Sequence, residues 1–216
     1  MADHKTVLIW DAPVRIFHWL LAMCFLGAWL TAENDGYEML HYAFGYTAGL
    51  LVIFRIIWGI IGSKYARFSD FIKGPKTIFH HTINMIKGKF DEPYLGHNPL
   101  GAIVMIGLML LTLGTVATGY LAISEIYGES SEELHEGIAE AMLIVVGLHI
   151  LAAIVMSFMQ KQNLPRAMVT GRKTSSNQTL AIKSPHLFVG LFLLLIAGYF
   201  FWSILNGGLP LLTPDS

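Results

Sequence analysis

Two things are scarce in this 216-residue sequence: cysteine and charge. There is one cysteine, Cys24, inside an apolar run. A single thiol builds no disulfide framework, no cysteine-based zinc site and no iron–sulfur cluster held by this chain alone. Charged residues make up 13% of the chain, against about 25% in an ordinary soluble domain. Phosphate-binding glycine loops and hydrolase nucleophile motifs are missing too. What fills the chain instead is apolar, at 54% of residues, and that balance points to a membrane class.

A membrane-crossing helix needs about 20 apolar residues. Five segments qualify: Pro13–Ala32, Leu40–Gly62, Pro99–Ile123, Gly137–Phe158 and His186–Leu205. Proline suits the first turn of the first and third spans, and Asn98 is placed to cap the third. The first fourteen residues carry Asp3 and Asp11 and no small-residue cleavage site, so the first apolar segment is expected to be retained. The fold class expected is an all-α integral membrane protein.

The net charge of −1 hides a segregation. Lys5 and Arg15 lie at or before the start of the first span. Lys64, Arg67, Lys73, Lys76, Lys87 and Lys89 lie between spans two and three, and Lys161, Arg166, Arg172, Lys173 and Lys183 between spans four and five. The alternate connections hold Glu33, Asp35, Glu38, Glu125, Glu129, Glu132, Glu133 and Glu136, with Glu140 just inside the fourth span and Asp215 near the C-terminus, and no lysine or arginine. By the positive-inside rule the basic side is cytoplasmic. This predicts a multi-pass protein of a bacterial inner membrane, with a cytoplasmic N-terminus and a periplasmic C-terminus. The exception is Arg55, within the second span. The basic residues are explained by topology, so no nucleic acid is expected as a partner; membrane lipid is.

Residues 68–89 mix Phe68, Phe71, Ile72, Ile78, Phe79, Ile83 and Ile86 with lysines. The segment is too polar to span and reads as an amphipathic helix on the cytoplasmic surface, interrupted at Gly74-Pro75. Residues 1–173 form one four-span unit. Residues 174–216 are a short polar linker, Thr174–Thr179, and the fifth span.

Ionisable residues inside membrane helices are costly and usually functional. His18 lies in the first span near the cytoplasm, and His41 opens the second near the outside. His135 starts the fourth, and His149 lies deeper along it. His135 and His149 are 14 residues apart, about four turns, so they share one face and stand about 21 Å apart along the axis. Depth pairs His18 with His149 and His41 with His135. Two neutral imidazoles on one iron make a six-coordinate site suited to electron transfer. The expectation is two haems of the b type stacked across the bilayer. No Cys-x-x-Cys-His occurs, so they would be bound non-covalently.

Gly45 and Gly49 follow His41 by four and eight residues. Their missing side chains would let a flat macrocycle approach; the competing reading is helix packing. Arg55, fourteen residues after His41, and Arg15, one turn before His18, are candidates to meet haem propionates. Arg15 also reads as an ordinary anchor. His97, ahead of Asn98-Pro99, is a candidate to meet a propionate or a quinone. His80 and His81 read as interfacial, His186 as a cap or interface residue, and His4 as disordered.

Trp10-Asp11-Ala12-Pro13-Val14-Arg15-Ile16-Phe17-His18-Trp19 resembles the start of the prokaryotic cytochrome b561 family, which includes cytochrome b subunits of nickel–iron hydrogenases. Arg55-Ile56-Ile57-Trp58-Gly59-Ile60-Ile61-Gly62, Gly96-His97-Asn98-Pro99-Leu100-Gly101 and Ala167-Met168-Val169-Thr170-Gly171-Arg172-Lys173 are similar to three further motifs of that group, as are Leu134-His135-Glu136 and Leu148-His149. The resemblance covers about residues 7–173. It implies a four-helix core holding two b haems, with ligands on its first, second and fourth helices. His18, His41, His135 and His149 occupy the matching places. Many short members lack the fifth helix, which could cover the bundle or hold a partner.

The reading this supports is an electron-transfer subunit of an oxidoreductase. It would pass electrons between a periplasmic redox protein, a hydrogenase or a c-type cytochrome, and the quinone pool, with quinone reacting near the cytoplasmic haem. Two others stay open: a stand-alone superoxide:quinone oxidoreductase, and a histidine-rich membrane anchor without redox chemistry. A second copy of the chain is a further candidate partner.

Overall fold

The computed structural model describes residues 5–87, 95–175 and 178–208. His4, Asp3, Lys89, Asp215 and the C-terminal end lie outside the described residues. Five helices are long and apolar enough to cross a membrane: α1 (Ala12–Thr31), α2 (Glu38–Ile61), α5 (Pro99–Ile123), α6 (Glu129–Met159) and α8 (Leu187–Leu205). Three shorter ones, α3 (Phe68–Phe71), α4 (Pro75–Ile86) and α7 (Leu164–Thr170), lie at the end that carries the basic connections. They are joined there by two strands, β1 (Lys5–Leu8) and β2 (Arg172–Ser175), which pair antiparallel with Leu8 opposite Arg172.

Local chemistry sets the boundaries. The Asp11 carboxylate accepts from Val14 N–H at 3.0 Å and starts α1 ahead of Pro13. Asn98 accepts from Gly101 N–H at 2.6 Å and starts α5; Asn163 does the same for α7. A side-chain acceptor satisfies one of the amides that a helix start leaves without a partner. Gly171, in the left-handed region at φ 76°, stops α7 and turns the chain into β2.

Two boundaries differ from the sequence expectation. The fourth apolar segment opens at Gly137, yet α6 begins at Glu129 and runs for 31 residues. Hydropathy marks what faces lipid, whereas Glu129 and Glu132 favour a helix N-terminus electrostatically while staying in water. His135 therefore sits in the second turn of a formed helix. The linker expected at Thr174–Thr179 is also shorter, because Thr174 and Ser175 belong to β2.

The long helices form two groups. α1 and α2 pack together, with α8 against both; α5 and α6 pair, and α2 touches α5. Gly190 lets α8 start against Ala12 and Ile16, which would meet an added Cβ at 3.0 Å or less. α6 packs closely on α5 and α7, and at most marginally on α1 and α2. Only Ser131 and Met142 of α6 are buried.

The basic end is closed by a woven cap. Ile9 and Trp10 N–H donate to Gly171 O, Ile182 N–H to Leu8 O and Ala12 N–H to Pro185 O. Beneath it Val7, Ile9, Trp10, Val14, Trp58, Tyr65, Ala66 and Ala167 form one buried apolar cluster.

Candidate functional site

The four histidines of the spans meet as two pairs, one towards each end of the bundle. At the acidic end the rings of His41 (α2) and His135 (α6) have centroids 6.0 Å apart. At the basic end those of His18 (α1) and His149 (α6) are 6.4 Å apart. The helices bearing each pair barely pack, so the rings reach towards each other across a gap.

A first-row metal ion sits about 2 Å from an imidazole nitrogen and the ring centre lies about 1 Å further, so two imidazoles sharing one ion hold their centres about 6 Å apart. Both pairs match that separation. Among the described residues no hydrogen bond joins the two rings of either pair. The residues therefore fit an iron held between two histidines.

Tautomers strengthen the fit at the acidic end. His41 Nδ1 lies 2.9 Å from Ala28 O, and His135 Nδ1 lies 2.9 Å from Thr115 O. A carbonyl only accepts, so each Nδ1 carries the proton and each Nε2 keeps its lone pair for a metal. At the basic end His18 Nδ1 is buried and has no hydrogen-bond partner among the described residues.

The glycines divide. A Cβ on Gly45 would meet nothing within 4 Å, whereas one on Gly49 would sit 3.3 Å from Val116 of α5. Gly45 leaves room beside the acidic-end pair and Gly49 serves helix packing. Gly119, which the sequence reading did not single out, lies under the other ring: a Cβ there would come 3.0 Å from His135 Cε1.

A second cluster adjoins the basic-end pair. Arg55 is 1% exposed. Its Nη2 donates to Met105 Sδ at 3.8 Å, its guanidinium lies 5.3 Å from the Phe68 ring centre and 6.0 Å from that of Phe71, and Nη1 has no hydrogen-bond partner among the described residues. His97 is held between Trp10 and Phe71, each with ring centroids at 4.7 Å, and its buried Nδ1 also lacks a hydrogen-bond partner among the described residues. Burial first, then the charges of Arg55 and Lys173, push the His97 pKa down to about 3, so its imidazole is neutral. Lys173 of β2 approaches from the cap, with Nζ 3.5 Å from Gly96 O and 5.5 Å from the Trp10 ring centre. Burial pulls its pKa down to about 8.

Arg15 does not join this cluster. Its Nη1 donates to Val169 O at 2.6 Å and its Nε to Asp11 O at 3.3 Å, which ties α1 to α7. His186 stands edge-on to Trp58 at 5.3 Å just ahead of α8, and His80 is exposed on α4. Asp11 is the residue whose weight the sequence did not reveal. It is fully buried, accepts from Val14 N–H and from Trp58 Nε1–H at 3.0 Å, and its charge bears on Arg55. An Asp one residue ahead of Ala-Pro is a cap signal; its burial depends on the cap that folds over it.

Known proteins resemble this chain over most of its length. The family described as prokaryotic cytochrome b561 matches residues 9–171. A probable Ni/Fe-hydrogenase B-type cytochrome subunit of Bradyrhizobium diazoefficiens is 25% identical over 213 residues, covering 78% of this chain and 86% of that protein. One of Rhodobacter capsulatus is 24% identical over 78% of this chain and 82% of its own length. The probable Ni/Fe-hydrogenase 1 B-type cytochrome subunit of Escherichia coli is 24% identical over 54% of this chain and 60% of its own. No solved structure matches.

Proposed function

The chain belongs to the prokaryotic cytochrome b561 family, a family of membrane electron-transfer proteins with b-type haem, and from that premise we propose that it carries electrons between two haems stacked across the membrane. His41 and His135 would hold one, His18 and His149 the other. The observation that carries this is the spacing of the two ring pairs, 6.0 Å and 6.4 Å, one above the other on the same helix α6.

Haem, when bound, supplies a one-electron couple; the protein's own groups set the terms. The Nδ1–H groups of His41 and His135 donate to backbone carbonyls, which fixes ring orientation and raises the basicity of Nε2. Gly45 leaves a flat macrocycle room against α2. Both histidines of each pair ride on long helices, so a change of one electron has little to reorganise.

The basic connections would face the cytoplasm and the acidic ones the outside. The names of the relatives support a hydrogenase as the outer electron donor rather than a c-type cytochrome, with the quinone pool as acceptor near the basic-end haem. Family membership leaves the non-redox anchor without support.

The test is the haem-to-protein ratio of the purified protein with its spectrum. Wild type should bind two low-spin haems. His135→Ala should lose the outer one and His149→Ala the inner one, or leave it high-spin. Either variant keeping two low-spin haems overturns the pairing.

A further inference from the structure

Arg55 presents an unsolved charge problem. Its guanidinium is all but sealed from solvent, and its neighbours are a thioether and two ring faces. Asp11 acts on it across space, but the two oxygens of that carboxylate already accept from Val14 N–H and Trp58 Nε1–H. One end of the fork, Nη1, has no hydrogen-bond partner among the described residues. A buried guanidinium left this way is strongly destabilising, because desolvation is not repaid. The neighbouring His97 has the same gap: its buried Nδ1 has no hydrogen-bond partner among the described residues. Phe71 borders both groups, 6.0 Å from the Arg55 guanidinium and 4.7 Å from the His97 ring, and His97 lies within electrostatic reach of Arg55, His18 and His149, so the two unmatched groups adjoin the basic-end histidine pair.

We infer that Arg55 and His97 form a carboxylate clamp for a propionate of the basic-end haem. This rests on the reading above that a haem occupies that pair. The chemistry fits the donors present. A guanidinium nitrogen and a neutral imidazole N–H are both donors, and a carboxylate is acceptor-only when ionised. An anion also supplies the charge that Arg55 requires, which a neutral quinone headgroup does not. Lys173 adds positive potential beside His97 from strand β2. The clamp thereby couples the haem to the cap: Trp10, which follows β1, and Phe71 hold the His97 ring from two sides.

Two variants test it, each with both haem potentials measured by redox titration of the full-length protein. His97→Phe keeps the aromatic contacts and deletes the N–H. Arg55→Met keeps length and deletes the charge. With the clamp weakened, the propionate's negative charge weighs more on the iron and opposes reduction. At a fixed ambient potential Arg55→Met should raise the oxidised-to-reduced ratio of the basic-end haem about tenfold, about 59 mV for one electron. His97→Phe should give a smaller change of the same sign, and His97→Gln, which keeps a donor, should restore most of it. The acidic-end haem should not move. Reconstitution with haem dimethyl ester, which has no propionate charge, should abolish the difference between wild type and His97→Phe. An unchanged basic-end potential in both variants, or a His97→Phe effect that persists with the ester, overturns the clamp. Neither result touches the ligand assignment, which fails only if the wild-type protein lacks a bis-histidine haem at that end.

Discussion

Replacing Asp11 removes three functions at once. Its carboxylate caps α1 through Val14 N–H, accepts from Trp58 Nε1–H across the cap, and is the carboxylate whose charge bears on Arg55. Loss of an N-cap costs about 1 kcal/mol. A hydrogen bond to a charged group is worth about 1.5–3 kcal/mol, and here its loss would leave a buried indole N–H with no acceptor. Asp11→Ala should therefore destabilise the closed cap by about 3 kcal/mol, roughly a hundredfold in the closed-to-open equilibrium. Asp11→Ser keeps the cap to α1 but is too short to reach Trp58, so it should cost about 2 kcal/mol, by the indole bond alone. Trp58→Phe should cost a similar amount, and the double variant should fall well short of the sum, since both remove one bond. The assay is amide hydrogen exchange over the β1–α1 junction in the haem-loaded protein in lipid nanodiscs. Exchange there in Asp11→Ala at the wild-type rate would refute the claim that this carboxylate holds the cap. Fully additive effects of Asp11→Ser and Trp58→Phe would refute the bond between them.

Three further outcomes follow from the geometry. An added Cβ at Gly45 meets no protein atom within 4 Å, so Gly45→Leu, which fills space that a macrocycle would need, should leave the helices folded by circular dichroism and halve the haem content; two retained haems would remove Gly45 from the site. Glu125, Glu129, Glu132, Glu133 and Glu136 are exposed at the acidic end, so reduction by a basic partner should slow as salt rises, with screening over about 10 Å at 0.1 M; a salt-independent rate would exclude electrostatic docking there. The basic-end haem should have the higher potential, as judged by titrating wild type beside His135→Ala and His149→Ala; the opposite order would show that ligand strain or exposure outweighs charge.

The membrane spans were legible because apolar length is a one-dimensional signal. It located α5 to the residue, came within two residues at the ends of α1, α2 and α8, and missed by more than two only the start of α6, where carboxylates rather than apolar residues build the first two turns. The face shared by His135 and His149 was legible too, since fourteen residues is a whole number of turns to within a few tens of degrees. The cap was not. β1 and β2 are four residues each and lie more than 160 residues apart, too short for an alternation pattern to stand out. Everything that depends on the cap was hidden with it: the burial of Asp11, the approach of Lys173 to His97, and the tie that Arg15 makes to α7. Gly119 was hidden for another reason. Its importance lies in the ring it faces on α6, and a glycine in an apolar helix carries no mark of what packs above it.

The two ends differ in ways that act together on electron flow. At the acidic end both imidazoles donate Nδ1–H to backbone carbonyls. Such a bond makes the ligand more electron-rich, which favours ferric over ferrous iron. At the basic end His18 Nδ1 has no acceptor among the described residues, so its ring would be a poorer donor, and Arg55 stands nearby as a buried cation. Weaker donation and positive charge both favour reduction. In the proposed di-haem arrangement, ligand tautomer and electrostatics would tilt the pair the same way, and electrons would run downhill from the acidic end to the basic end. Inward flow against a membrane potential costs about 2.3 kcal/mol per electron per 100 mV for a full crossing. A difference in potential between the two proposed haems, set by these residues, would offset part of that cost within the protein and leave less to be supplied by the gap between donor and acceptor.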